Sequence, residues 1–469
     1  MLYALLRATA GIALRWFYRD VSVRHADRVP HGATPLLLVV NHPNALVDAL
    51  LVGWAMPRPI TITAKATLFE NPALAWFLQY MGVVPLRRAS DERRRAAEAA
   101  ADPAGRAADT RRNTEAFRAI IERLEQGGAV LIFPEGKSHD EPALAPLRTG
   151  PARIALQAER EGRVRSLTML PIGLVFERKE APRSRVLVDI GEPLDVGRWV
   201  AATRAAGDAP EVGPLTEEID RRLRDVTLNY ATADEAVRTR GLAKVFASLL
   251  DDPPPVGAGR SLEEEVELER RLAQARRLLE SERGDSTLRA RAERFLDRLD
   301  TFEHTLRAER IAADDVAISL RRRHGVRFAL REGGLLAVAG PVALWGRMNH
   351  WLPFRLARAL GARDMTSRDQ PAMRTILAGL VFVLLFYALA TAFVARLAGG
   401  LAATMYLVSL PIAADVDLQF AERMRRARRR MRAYLRFRRD PRLRERLSAE
   451  HAWLTNEIGD LARALGHGD

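Results

Sequence analysis

Two residues in the stretch "VVNHPNALVDALLV" (39 to 52) have the types and spacing for proton-transfer chemistry: His42 and Asp48, with five residues between them. An imidazole takes up a proton near neutrality, provided its second nitrogen is held in the right tautomer. A carboxylate one turn into the following helix can reach back and do that. Asn41 and Pro43 flank His42, so a tight turn at a strand end holds the ring out of the sheet. A histidine followed by an aspartate also occurs by accident, and the pair needs further stretches to give it meaning.

Three such stretches follow. In "LIFPEGKSHD" (131 to 140) a buried strand runs into Pro134, Glu135 and Gly136, and a glycine there lets backbone N–H groups face an anion or a carbonyl. Ser138, His139 and Asp140 do not form a hydrolase triad, because triad members converge from separate segments. "MGVVPLRR" (81 to 88) places Arg87 and Arg88 after a strand, and the guanidinium fork suits phosphate. "LPIGLVF" (170 to 176) is an apolar strand whose Pro171 and Gly173 predict a wall approached closely by a ligand.

The elements that must position these groups alternate along residues 20 to 250. The predicted strands are Leu36–Val40, Gly82–Leu86, Ala129–Phe133, Met169–Phe176 and Val186–Ile190. Helical spacing covers Ala45–Ala55, Ala73–Met81, Thr114–Glu125 and Pro151–Glu161. This alternation predicts an α/β fold, a mainly parallel sheet flanked by helices, with ligands bound beyond the carboxyl ends of the strands.

In this order the four stretches resemble the glycerolipid acyltransferases, the phospholipid/glycerol acyltransferase family, over roughly residues 30 to 200. "NHPNALVD", "GVVPLRR", "FPEG" and "LPIGLVF" correspond to its four blocks. Most of that family has four residues between His and Asp. The five found here, with "AKATLFENPALAWFL" (64 to 78), resemble the branch of glycerol-3-phosphate and dihydroxyacetone-phosphate acyltransferases. The family's "FPEGTRS" arginine is missing, and Lys137-Ser138-His139 stand in its place; Lys137 or Arg148 could supply that cation.

The resemblance implies that His42 deprotonates an acceptor hydroxyl and that Asp48 orients His42. Glu135 and Gly136 position the acceptor, Gly136 lying near the oxyanion donors. Arg87, with Lys65, Arg88 or Lys137, neutralises a phosphate, and Pro171 and Gly173 line the acyl pocket. The donor is an acyl thioester, of coenzyme A or of an acyl carrier protein. Neither cofactor nor metal is implied. The acceptor is a phosphorylated glycerol, with 1-acylglycerol-3-phosphate or another lysophospholipid as the alternative.

The 469 residues exceed one usual core and contain no cysteine, which excludes thiolate sites and a cysteine nucleophile. Net charge is +14, and residues 421 to 447 alone hold thirteen Arg against Glu422, Asp440 and Glu445. The rest is nearly balanced, and no recognition fold accompanies the basic segment, so nucleic acid is not expected as a partner. Of the four lysines, Lys65, Lys137, Lys179 and Lys244, the first two fall inside the motifs.

Five regions are expected. Residues 1–19, interrupted by Arg7 and Arg15 and without a small-residue cleavage pattern, form an amphipathic helix lying on a bilayer or packed on the next domain. Residues 20–250 form the acyltransferase domain. Residues 251–330 hold a linker, "DDPPPVGAGR", and a helical hairpin of Ser261–Arg283 with Thr287–Arg310, through which copies could associate. Residues 331–420 form a membrane region. Within it, Thr375–Ala395 and Leu397–Ala414 are charge-free runs of twenty-one and eighteen residues, a candidate hairpin of two crossings. Gly333–Trp345 is expected to be interfacial or re-entrant. Residues 421–469 form a basic tail beside anionic headgroups. The positive-inside rule places these flanks, and the catalytic domain, on the cytoplasmic face. A non-enzymatic membrane-shaping protein is the competing class; it leaves the four ordered motifs unexplained.

Overall fold

The structure is a computed structural model; it describes residues 2–70, 72–80, 82–86, 115–250, 260–280, 286–316, 320, 322–361 and 371–466. Arg87 and Arg88 therefore lie outside the described residues. Two compact units divide the chain: Met1–Asn229 with Leu360–Leu377, and Tyr230–Ala359 with Ala378–Asp469. The first boundary falls at Asn229, ahead of the expected 250.

The first unit is built on one eight-stranded sheet. Its strands are β1 (Asp20–Arg24), β2 (Leu36–Val40), β3 (Ile60–Lys65), β4 (Val84–Leu86), β5 (Ala129–Ile132), β6 (Thr168–Phe176), β7 (Arg185–Ile190) and β8 (Leu194–Asp195). The order is β1-β7-β6-β2-β5-β3-β4, with β8 beside β6. Strands β6, β2, β5, β3 and β4 run parallel, and β7 and β8 run antiparallel to β6. The mainly parallel sheet flanked by helices is thus as the alternation predicts. Sequence periodicity missed β1, β3 and β8, which are short, edge-placed or interrupted by polar residues.

Every residue of β2, "LLLVV", is buried, because helices cover both faces of the sheet. Leu36, Leu38 and Val40 pack with Leu14, Phe17 and Tyr18 at the end of α1 (Leu2–Phe17) and with Val47, Leu51 and Val52 of α2 (Leu46–Ala55). Leu37 and Val39 face the other way, toward Ile120, Ile121 and Leu124 of the helix at 115–125, Ile154 of Gly150–Glu161, and Leu215, Ile219 and Leu223 of Val212–Val226. Each such side chain contributes roughly 1.5–3 kcal/mol of transfer free energy. Helix α1 is therefore packed on its neighbours along one side, while Leu5 and Ile12 stay exposed on the other.

In the second unit the two charged helices, Leu262–Glu280 and Ser286–Glu309, both pack against Ala233–Leu250. Their Leu and Phe stripe is core: Phe295, Leu299, Phe302 and Leu306 are buried with Val245, Leu443, Leu447 and Leu454. The expected two-helix hairpin is thus part of a larger bundle, because its apolar stripe is already covered.

Gly333–Trp345, expected to be interfacial or re-entrant, lies inside one helix, Arg322–Gly361, which Pro341 and Pro353 do not end. That helix and Pro371–Arg439 are both long and apolar enough to cross a membrane. The latter is interrupted at Gly399, whose φ of 83° and ψ of 173° are not helical. Tyr387 bonds His350, and the Ala413 carbonyl approaches Gly346, one turn away on the same helix. A straight helix would separate Tyr387 from Ala413 by about 39 Å at about 1.5 Å per residue. The chain therefore folds back at Gly399, close to the expected turn.

Candidate active site

Strand register places the chemistry. Val39 pairs with Ile132, so counting three residues further along two parallel neighbours sets His42 opposite Glu135, although 93 positions separate them. The His42 backbone N–H donates to Glu135 Oε1 at 2.6 Å. On the other side of β2, Val40 pairs with Ile172, and Asn41 continues that ladder with its side chain. Asn41 Nδ2 donates to the Leu174 carbonyl at 3.1 Å, and Asn41 Oδ1 accepts the Leu174 N–H at 2.7 Å.

The turn then enters α2 through Ala45, which has φ 48° and ψ −130°. Such a conformation costs a β-carbon-bearing residue about 1–3 kcal/mol. It brings two donors onto one carboxylate oxygen. Asp48 Oδ2 accepts His42 Nδ1–H at 2.9 Å and the Asn44 N–H at 2.7 Å. Asp48 is the third residue of α2, where a carboxylate reaching back to the chain before the helix favours both cap and dipole.

His42 is 9% exposed and Asp48 is fully buried. Burial pushes the Asp48 carboxyl above the usual carboxylate range, against the opposing pull of the His42 hydrogen bond and charge, the Asn44 N–H and Lys179. With Nδ1–H committed to Asp48, His42 Nε2 carries the lone pair. The ring stacks on Phe133, with centroids 3.8 Å apart and planes 12° off parallel. The structure thus brings together the His42 and Asp48 that the sequence spacing paired.

Other residues of the four stretches contact the protein itself. Glu135, expected to position the acceptor, is buried and spent on the protein: besides His42 N–H it accepts the Ala145 N–H at 2.9 Å and pairs with His139. Gly136 takes φ 74°, as a glycine turn requires, and its N–H donates to the Phe133 carbonyl at 3.1 Å. Gly173 does mark a close approach, but the approaching group is the chain itself. A Cβ there would lie 1.9 Å from the Val226 carbonyl, and Pro171 sits against Gly191. Gly173 therefore lets the end of the Val212–Val226 helix come close to the sheet.

Lys65 ends β3 in register with Leu86, the residue before Arg87, while β3 and β5 pair at Ile62 and Leu131, which carries Lys65 to the level of Pro134. It is partly buried; Lys137 and Arg148 are exposed beside the same loop, and the Arg148 N–H donates to the Pro134 carbonyl at 2.7 Å. Lys65 and Lys137 thus both lie at or beyond the carboxyl ends of the adjacent strands β3 and β5.

Three contributors were missed. Asn44 Nδ2 donates to Tyr18 Oη at 3.0 Å and to the Lys179 carbonyl at 3.1 Å. Lys179 Nζ donates to the Pro43 carbonyl at 2.7 Å and the His139 carbonyl at 2.9 Å, and pairs with Asp140. The rarity of lysine in this chain was the available signal for Lys179. Among the described residues no group of His, Asp or Glu has the arrangement of a metal site.

A buried histidine with one nitrogen on a carboxylate, at the carboxyl end of a central parallel strand, has the geometry of a general base. Residues 20–175 match the family described as Acyltransferase. The chain is 31% identical over 160 residues to glycerol-3-phosphate O-acyltransferase 2 of Saccharomyces cerevisiae, covering 34% of this chain and 21% of that protein. It is 25% identical over 173 residues to a chloroplastic 1-acyl-sn-glycerol-3-phosphate acyltransferase of Brassica napus, covering 37% and 42%. Both matches leave more than half of the relative's length unspanned. A crystal structure of the 1-acyl-sn-glycerophosphate acyltransferase PlsC from Thermotoga maritima aligns with a TM-score of 0.32 at 20% identity, covering 47% of this chain and 78% of that one.

Proposed function

We propose that this protein is a membrane-bound O-acyltransferase that moves a fatty acyl group from a thioester to the hydroxyl of glycerol 3-phosphate or dihydroxyacetone phosphate. The observation that carries the proposal is the His42–Asp48 pair, with Nδ1–H on the carboxylate and Nε2 as the basic nitrogen. His42 Nε2 takes the hydroxyl proton as the oxygen attacks the thioester carbonyl. The tetrahedral adduct then expels the thiolate, which recovers the proton from the imidazolium. Asp48 holds the tautomer and offsets the transient positive charge. Lys65, Lys137 and Arg148, with Arg87 and Arg88 beyond β4, supply cations for the acceptor phosphate.

The five-residue spacing and the similarity to the yeast glycerol-3-phosphate acyltransferase favour glycerol 3-phosphate. The similarity to the plant enzyme supports 1-acylglycerol-3-phosphate as the second reading. The two apolar helices support bilayer attachment, and the basic tail supports a cytoplasmic face for the catalytic unit, with membrane lipids as partners.

The deciding experiment offers purified full-length protein in phospholipid vesicles both acceptors, each with a radiolabelled acyl-CoA or acyl carrier protein. Preferential labelling of glycerol 3-phosphate is expected. Labelling only of the lysophospholipid would select the second reading, and no transfer to either would reject both.

A further inference from the structure

Lys179 is one of four lysines in a chain with 73 basic residues, and it belongs to none of the four motif stretches. An ammonium has three donors and no acceptor. All three are engaged: the Pro43 carbonyl at 2.7 Å, the His139 carbonyl at 2.9 Å, and the Asp140 carboxylate. Pro43 is the neighbour of His42, while His139 and Asp140 belong to the loop whose Glu135 holds the His42 N–H. One cation thus ties the turn carrying the base to the loop that clamps it.

The opposite end of the same residue works on the same turn. The Lys179 carbonyl accepts from Asn44 Nδ2 at 3.1 Å and from Tyr18 Oη at 3.3 Å, and the Asn44 N–H lies on Asp48 Oδ2. The path from Lys179 to the proton-accepting ring is therefore continuous, through Pro43 and Asn44 to Asp48 and then His42.

We propose that Lys179 is a positioning residue for the His42–Asp48 pair, fixing the 41–45 turn against the 133–148 loop and placing a positive charge beside that turn. The proposal rests on the acyltransferase reading for its effect on turnover, but not for its effect on the imidazole. A planar guanidinium cannot cap three acceptors as a tetrahedral ammonium does, so charge and geometry separate experimentally. The cation's effect on Asp48 is consistent: Lys179 is among the groups that pull the carboxyl pKa down against burial.

The test uses full-length protein in vesicles or detergent, with Lys179→Met, Lys179→Arg and Lys179→Cys. In Lys179→Met, kcat is expected to fall about tenfold to a hundredfold, the scale of a small misplacement of a catalytic group. KM for the acceptor should change less than about threefold, since Lys65, Lys137 and Arg148 are untouched. The acid limb of its kcat profile should move to higher pH, because removal of a cation makes Asp48 easier to protonate. Lys179→Arg should keep the acid limb near that of the wild type while losing part of kcat. Because the chain has no cysteine, Lys179→Cys supplies a unique thiol. Alkylation with bromoethylamine, verified by mass spectrometry, restores an ammonium on a similar arm and should recover kcat.

Histidine-selective ¹⁵N NMR reads the His42 tautomer without any turnover. Loss of the dominant Nδ1–H form in Lys179→Met supports the proposal, and an unchanged tautomer and titration overturn it. An inactive wild type would reject the acyltransferase reading, while the NMR comparison would still decide the role of Lys179. Full activity with an unmoved acid limb in Lys179→Met would likewise overturn it.

Discussion

Each unit of the molecule buries a histidine, and the two are wired differently. His42, at the end of β2, commits Nδ1–H to Asp48 and keeps Nε2 as a basic nitrogen. His350, in the helix Arg322–Gly361, donates Nδ1–H to the Gly346 carbonyl at 2.8 Å and accepts from Tyr387 Oη at 2.7 Å through Nε2. The neighbours of His350 are as fully matched. Tyr406 Oη donates to Asn349 Oδ1 at 2.6 Å, and Arg347 pairs with both oxygens of Asp417. A saturated polar cluster between apolar helices fastens them, since the alternative is an unsatisfied group in a dry environment. A histidine with one nitrogen committed and one basic is equipped for chemistry.

The largest effect that would break this contrast is expected from His42→Ala, which should lower transfer by about a thousandfold or more, since general base catalysis and substrate orientation are lost together. Retention of more than about a tenth of wild-type turnover would show that the base is another group. Membrane association, followed by vesicle flotation, should not change.

Asp48→Asn should lower turnover by about 10³–10⁴-fold, the scale of losing tautomer control, and yet raise thermal stability. The sign follows from burial. Because the native carboxyl pKa is raised, the folded state holds the proton more tightly than the unfolded state between the ordinary and the raised value. Stability is then lost as pH rises through that window, and above it the ionised carboxylate is a net cost. Asp48 Oδ1 is buried without a hydrogen-bond partner, so an amide at position 48 removes a buried unpaired acceptor. The melting midpoint should rise about 2–4 °C at neutral pH and converge with wild type on acidification. A lower midpoint for Asp48→Asn across the whole range would contradict this.

Glu135→Gln tests the clamp on the His42 backbone. The His42 N–H keeps an acceptor while the ionic partner of His139 is lost, so kcat should fall by about tenfold, with KM for the acceptor little changed. A selective rise in KM would instead restore Glu135 to the acceptor site.

The smallest catalytic effect belongs to His350→Phe. Turnover should stay within about threefold of wild type, while the melting midpoint falls as Tyr387 loses its acceptor, a loss of about 1–3 kcal/mol. Loss of transfer at unchanged stability would show that the second histidine also serves chemistry.

These outcomes bear on what the amino-acid string discloses. Strand β2 and its neighbours were legible because apolar runs without alternation can only be buried on both faces, and His42 and Asp48 were legible because helix geometry brings a near residue back onto the turn. The direction of Glu135 was not, since a motif carboxylate reads the same whether it meets a ligand or the backbone 93 positions away. Gly173 announced that something comes close, but the visitor, Val226, is fixed only by how a distant helix docks. Lys179 carried a compositional signal without a local pattern, because its partners come from two other loops. The boundary at Asn229 was hidden by helices whose stripes look alike whichever core they enter.

The first turn of the Pro371–Arg439 helix has a consequence for cutting the chain. Ala372, Met373 and Ile376 fill the same core as Leu14, Tyr18 and Val52, so the first unit is discontinuous. A fragment ending at Asn229 would carry an oily notch where those three side chains belong, and it should clump on expression. Supplying residues 360–377 as a separate peptide should plug the notch and return the fragment to solution.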